Sequence, residues 1–71
     1  MYLKRLRDLR EDGDYKQKEI AALLSIDQRV YSNYELGKRD IPARFICMLA
    51  DHYGVSTDYI FGRTDDPAPY K

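Results

Sequence analysis

Apolar residues recur along this chain at the spacing of short helices, and small or polar residues interrupt them. Tyr2, Leu6 and Leu9 fall at i, i+4 and i+7, one face of a helix, and predict a first helix over Leu3 to Asp12 that breaks at Gly13-Asp14. A second helix is predicted from Gln17 to Leu24. Lys16, just before it, has no side-chain acceptor, whereas Asp14 and Gln17 have capping-box spacing, so Asp14 is expected to cap this helix one turn early. Ser25-Ile26-Asp27 reads as a turn, with Asp27 as the cap of a third helix over Gln28 to Leu36 and Gly37 as its C-cap. Lys38 to Ile41 is a loop. Pro42 opens a fourth helix, where its missing N–H does no harm, and Ile46, Leu49, Ala50 and Tyr53 share one face up to Gly54. Ser56 caps a short fifth helix ending near Phe61, with Val55 and Ile60 spaced as a hydrophobic staple and Gly62 as the stop.

The second and third helices form a unit. Ala21 is small, as a close crossing of the two requires, and Ile20, Leu24, Ile26, Tyr31 and Tyr34 are the apolar residues expected to lock that crossing. Gln28, Arg29, Ser32 and Asn33 fall at i, i+1, i+4 and i+5 and make one outward polar stripe. Gln and Asn can pair bidentately with adenine and Arg with guanine, so this is the layout of a helix-turn-helix DNA reader. Val30 either reaches a thymine methyl or packs at the helix edge.

On these residues the chain resembles the phage-repressor/Cro-like (XRE-type) helix-turn-helix family. The matching marks are Gln17, Glu19-Ile20-Ala21, Ile26, Ser32, Tyr34-Glu35 and Gly37-Lys38-Arg39. Leu9-Arg10-Glu11 resembles the end of the family's first helix. Leu49-Ala50 and Tyr53-Gly54-Val55-Ser56 resemble its fourth helix and the turn into the fifth, so the likeness runs from about Leu3 to about Gly62. It implies an all-α, compact five-helix repressor-like domain over residues 1–62. It also implies a phosphate contact from Gln17, aided by the helix dipole, and an Arg10–Glu35 ion pair that orients the third helix without touching a base. The chain departs from the family twice: Lys16 stands where a capping Thr is usual, and Ser25 where Gly adopts a left-handed backbone, a change worth on the order of 1 kcal/mol.

The candidate DNA-contacting residues are therefore Gln17, Asp27, Gln28, Arg29, Ser32, Asn33, Lys38 and Arg39, with the last two on phosphates and Arg44 a possible addition. Charge complicates this reading. Twelve Lys and Arg balance twelve Asp and Glu, and a nucleic-acid binder usually carries a basic footprint. The half with the motif, residues 1–44, has ten basic against eight acidic residues, and residues 45–71 have two against four. Weak non-specific affinity, and dependence on a homodimer on double-stranded DNA, are expected.

Seventy-one residues allow one domain and a short solvated tail, residues 63–71. One cysteine, Cys47, cannot make an internal disulfide, and with His52 as its only companion it cannot build a zinc site. Cys47 is expected as a small apolar filler and His52 as a surface residue near the end of its helix. Tyr31, Tyr34 and Tyr53 are expected in the core with their hydroxyls in water. Tyr59 to Phe61 either form a dimer patch or close the core. No apolar run approaches the roughly 20 residues of a membrane span, and Met1 to Arg10 lacks the apolar stretch of a signal peptide. A cytoplasmic, non-enzymatic regulator of transcription that needs no cofactor is expected, with repression of a near-palindromic operator as the default. The alternatives are an antitoxin, whose tail grips a toxin partner, and a protein-interaction module that has lost DNA binding.

Overall fold

The computed structural model describes residues 1–69. Over them the chain forms five helices and no strand: α1 (Lys4–Asp12), α2 (Gln17–Leu23), α3 (Gln28–Glu35), α4 (Ala43–Tyr53) and α5 (Thr57–Phe61). The order and number of helices agree with the periodicity, and the bounds differ by a residue at several ends. The expectation of a solvated tail falls partly on Tyr70 and Lys71, which lie outside the described residues.

One apolar core holds the helices together. Leu6 comes from α1, Ile20 and Ala21 from α2, Tyr31 from α3, Ile46 and Leu49 from α4 and Ile60 from α5, all nearly inaccessible to water. Each such aliphatic side chain contributes about 1.5–3 kcal/mol relative to leaving it in water. Ala21 is buried where α2 meets α3, as the expected crossing needs. Leu24, just past α2, completes the packing there.

All five helices close by the same device. Each end carries one left-handed residue: Asp14, Ser25, Gly37, Gly54 and Gly62 have φ of 60°, 57°, 76°, 67° and 77°. Each closure carries the paired hydrogen bonds of a Schellman turn, for example Ser25 N–H to Ala22 O (3.1 Å) and Ile26 N–H to Ala21 O (3.0 Å) at the end of α2. Ser25 thus takes the strained backbone expected of it.

Asp14 does not cap α2. It is the left-handed residue closing α1, with its N–H on Glu11 O at 3.0 Å and the Tyr15 N–H on Arg10 O at 2.9 Å. The left-handed position thereby falls one residue beyond Gly13, whose own φ is −84°. Gly13 is needed for another reason: a Cβ there would meet the Tyr15 ring at 2.7 Å. The cap of α2 is Lys16, which works through its backbone, since its N–H donates to Glu19 Oε1 at 3.0 Å. This is half of a capping box, and the missing half is the acceptor that lysine lacks.

Three other expectations are corrected. Tyr2 leaves the predicted face of α1 and is exposed, while Leu3 is buried in its place. Leu3 is the extended cap of α1, so the helical period does not extend back to Tyr2. Pro42 is the extended cap of α4 rather than its first helical residue. Cys47 is exposed on α4 and fills no core space. His52 lies at the surface as expected and meets the rings of Tyr15 and Tyr53 in tilted and edge-on contact, each centroid 5.1 Å away.

The N-terminal residues run close over the end of α3. A Cβ on Gly37 would stand 3.0 Å from both Cα and Cβ of Tyr2, so at this position glycine meets both a left-handed backbone and a lack of room. The terminal ammonium pairs with Asp40 in the loop that follows.

The staple holds at the other end of the molecule. Val55 and Ile60 are both buried, and Ser56 Oγ accepts the Tyr59 N–H at 3.0 Å. Ile60 is therefore core rather than patch. Tyr59 is half-buried with the Arg5 guanidinium 4.0 Å above its ring, and Phe61 is partly exposed. Residues 65–69 are exposed along the surface, tethered by Arg5, which donates to Tyr59 O (2.9 Å), Thr64 O and Asp65 Oδ1 (2.7 Å). The buried Ser56 donates its N–H to Pro67 O at 3.1 Å.

Candidate nucleic-acid interface

The turn after α2 sets the site. Asp27 is extended, and its Oδ1 accepts the Arg29 N–H at 2.8 Å, which starts α3 at Gln28. The first turn of α3 then carries Gln28 and Arg29 outward, and Ser32 follows one turn later. Tyr31 and Tyr34, on the opposite face, anchor the helix in the core.

Gln17, Asp27, Gln28, Arg29 and Ser32 line one open cleft of about 470 Å³ between the start of α2 and the start of α3. Five of the eight candidate residues are thus brought together. Asp27, Gln28 and Arg29 are exposed, and Gln17 and Ser32 are half-buried. Asn33 does not line this cleft. It is half-buried, and its carbonyl accepts the N–H groups of Lys38 (3.0 Å) and Arg39 (3.3 Å). Lys38 and Arg39 lie beyond the end of α3 with exposed side chains. Arg44 sits on α4 with its guanidinium 4.6 Å from the Phe45 ring centroid. Asp27 has a structural duty as a cap, so its carboxylate is committed to the backbone.

Behind the cleft lies a buried polar hub. Glu35 is 4% exposed at the end of α3. Arg10 reaches it from α1 in the side-on, two-toothed geometry that guanidinium favours, Nε to Oε2 at 2.6 Å and Nη2 to Oε1 at 3.1 Å. The remaining Nη1 of Arg10 donates to Tyr15 O at 2.9 Å. The family resemblance implied this pair. It did not imply the third partner: Gln17 Nε2 donates to Glu35 Oε1 at 3.3 Å. Gln17 therefore joins the hub to the cleft.

The electrostatics of the hub follow from burial opposed by hydrogen bonds. Burial alone would raise the Glu35 pKa. The paired guanidinium of Arg10, then the neighbouring Tyr31 hydroxyl and the Gln17 amide, outweigh it and hold the carboxyl below its ordinary value. The same pairing with Glu35 raises Arg10. Burial, then the adjacent Glu35 carboxylate, pushes Tyr31 far above its usual range, and burial does the same to Tyr53. Both tyrosines stay neutral at any ordinary pH. Their hydroxyls are buried rather than wet, which corrects the sequence expectation. The Tyr31 hydroxyl is near Glu35 but makes no regular hydrogen bond.

Sequence reading of the site missed the Gln17–Glu35 link. Its only signal was the meeting of α2's first residue with α3's last across the crossing, which requires the fold. No group of three or more His, Cys, Asp or Glu side chains among the described residues could hold a metal ion. No helix among them is long and apolar enough to cross a membrane.

Comparison with known proteins gives a consistent result. The family described as helix-turn-helix matches residues 6–60. The chain is 39% identical over 69 residues to the uncharacterized HTH-type transcriptional regulator YobD of Bacillus subtilis (strain 168), covering 97% of this chain and 62% of that protein. It is 40% identical over 62 residues to the HTH-type transcriptional regulator ImmR of the same organism, covering 87% of this chain and 49% of that one. A third relative there, the SPbeta prophage-derived regulator YonR, is 33% identical over 64 residues, covering 90% of this chain and 59% of that protein. The chain thus spans about half to three-fifths of the length of these curated relatives. No solved structure gives a significant match.

Proposed function

Since this chain belongs to the helix-turn-helix family of phage-repressor and Cro type, whose relatives are transcriptional regulators rather than enzymes, we propose that it is a sequence-specific DNA-binding repressor of transcription. One observation carries the reading: Gln28, Arg29 and Ser32 of α3 stand with Gln17 of α2 around a single open cleft, in front of a buried α1–α3 ion pair to which Gln17 also donates. In this reading α3 enters the major groove. Gln28 and Arg29 meet base edges, Ser32 and Asn33 support them, and Gln17 fixes the register on a phosphate. Lys38 and Arg39 clamp the phosphate backbone, which they reach from an exposed loop. Arg29→Ala or Gln28→Ala is expected to weaken binding to a selected site by roughly 1–3 kcal/mol and relax one base position.

The small basic excess supports a homodimer on DNA. One reading helix covers few base pairs, and two copies on half-sites about one helical turn apart would share the contact. A near-palindromic operator follows, as does a cytoplasmic location. Zero net charge favours the alternative of a protein-interaction module without DNA. The cleft outweighs it, because every one of its lining residues is polar or charged and offers donors and acceptors suited to base edges. Selection of bound sequences from a random duplex pool, with sedimentation of the resulting complex, tests the reading. Recovery of a two-fold symmetric site with two chains per duplex is expected. A pool with no enrichment at low salt would sink the DNA reading, and one chain per duplex with full affinity for a half-site would sink the dimer.

A further inference from the structure

The reading cleft does not end at Gln17. That residue also borders a second opening of about 250 Å³, lined by Tyr2, Arg7, Arg10, Gln17, Glu35 and Leu36. The two openings also share a helix face. Gln28 and Ser32 line the first, Glu35 and Leu36 the second, and these four fall at i, i+4, i+7 and i+8 along one stripe of α3 and its cap. A groove surface laid along α3 therefore runs on to the edge of α1.

The rim of the second opening has the composition of a backbone contact. Arg7 projects from α1 into solvent, its side chain 64% exposed. Tyr2 and Leu36 flank the opening and are among the most exposed large apolar residues of the molecule, at 61% and 58%. A cation between an aromatic and an aliphatic side chain suits a phosphate and its neighbouring sugars. Arg10 cannot serve here, because Glu35 and Tyr15 hold its guanidinium. Arg7 is held only through Nε, by Glu11 one turn on, in an exposed pair of the kind that contributes little. Exchanging that carboxylate for a phosphate is therefore cheap.

We propose that Arg7, with Tyr2 and Leu36 beside it, is a further phosphate-binding position, so that the DNA footprint extends from α3 onto α1. This inference rests on the DNA-binding reading of the cleft. It adds a cation that neither the helix-turn-helix segment nor the loop after α3 contains.

The test is a salt series on the full chain, with a selected duplex and a random-sequence duplex as the two probes. Arg7→Ala is expected to weaken binding several-fold on both probes alike, and to reduce the slope of log K against log salt by about 0.9, the value for one phosphate. Arg7→Lys should restore the slope. Lys4→Ala is the control, since Lys4 is exposed on α1 like Arg7, pairs with Asp8 at 3.8 Å and borders neither opening. It should leave the slope as in wild type. Glu11→Gln separates the contact from a structural role. It should tighten binding slightly if Arg7 meets phosphate, and mimic Arg7→Ala if Arg7 only steadies α1. Thermal melts of each variant show whether the fold is intact. An Arg7→Ala protein with a wild-type slope, whatever its melting temperature, overturns the proposal. A wild-type protein that binds neither duplex at low salt overturns the DNA reading beneath it, and the two failures are told apart by that control.

Discussion

The reading half of the molecule, α2 and α3, and the scaffold half, α4 and α5, are each fastened to α1 by one arginine, and the chemistry differs. Arg10 reaches the reading half and meets Glu35, with side-chain exposures of 14% and 3%. Arg5 reaches the scaffold half and meets two backbone carbonyls, the Tyr59 ring and Asp65, whose side chain is fully exposed. A desolvated pair is costly to break, because either partner left alone is a charge out of water. An arginine on carbonyls and a ring can lose its exposed acid at little loss. The half proposed to face DNA is thus fastened to α1 by a buried ion pair, and the other half by backbone bonding and a ring contact.

Five substitutions probe that contrast, from largest to smallest effect. Arg10→Ala should cost about 3–5 kcal/mol in denaturant unfolding, since Glu35 would be buried without its partner. A loss below about 1 kcal/mol would show that the pair is not the fastening. The same pair predicts acid sensitivity. Glu35 has a folded pKa below its unfolded one, so its stabilisation is complete above the unfolded value and disappears as pH falls through the folded value. Glu35→Gln should flatten that part of a pH–stability profile.

Leu49→Ala is the matching cut in the scaffold, at a fully buried residue of α4. It should cost about 2–5 kcal/mol with no pH dependence of its own, through lost burial and a cavity. If its effect varied with pH as that of Arg10→Ala does, the division into a charged and an apolar half would be wrong. Arg5→Ala should cost less, about 1–2 kcal/mol, for hydrogen bonds of ordinary strength. Protease nicking within residues 63–69 should accelerate with it, and an unchanged cleavage rate would show that Arg5 does not tether the segment. Ser25→Gly has the smallest effect and the opposite sign. It should stabilise by about 1 kcal/mol by relieving a left-handed serine, as a rise in melting temperature would record.

Most of the helical layout was legible in the sequence. Asp27 and Ser56 cap where they were expected, and Gly54 and Gly62 stop their helices, because those signals are local and act within a few residues. The polar stripe was legible too, since a 3.6-residue period places Gln28, Arg29 and Ser32 on one face before any tertiary contact is known. What escaped depends on contact between distant segments. Asp14 looked like a cap by spacing, but the chain needs it left-handed to close α1, and Gly13 is reserved for the Tyr15 ring. Cys47 looked like core by its apolar neighbours in sequence, yet the inward face of α4 is made by Phe45, Ile46, Leu49 and Ala50. Gln17 read as a phosphate contact, while its tie to Glu35 needed α1, α2 and α3 in place together. The likeness to the helix-turn-helix family supplied the Arg10–Glu35 pair, which no local pattern contains.

The close passage of Tyr2 over Gly37 has a consequence for reach. α3 is eight residues long, about 12 Å at 1.5 Å per residue. At its far end the chain of residue 2 lies against Gly37, so another helical turn would have to displace that segment. The segment acts as the stop on a ruler. Successive base pairs lie about 3.4 Å apart along the duplex, so the ruler spans three to four of them. Under the proposed function, the length of the word that α3 could read is therefore bounded twice at Gly37, by the left-handed closure of the helix itself and by the chain that crosses over it.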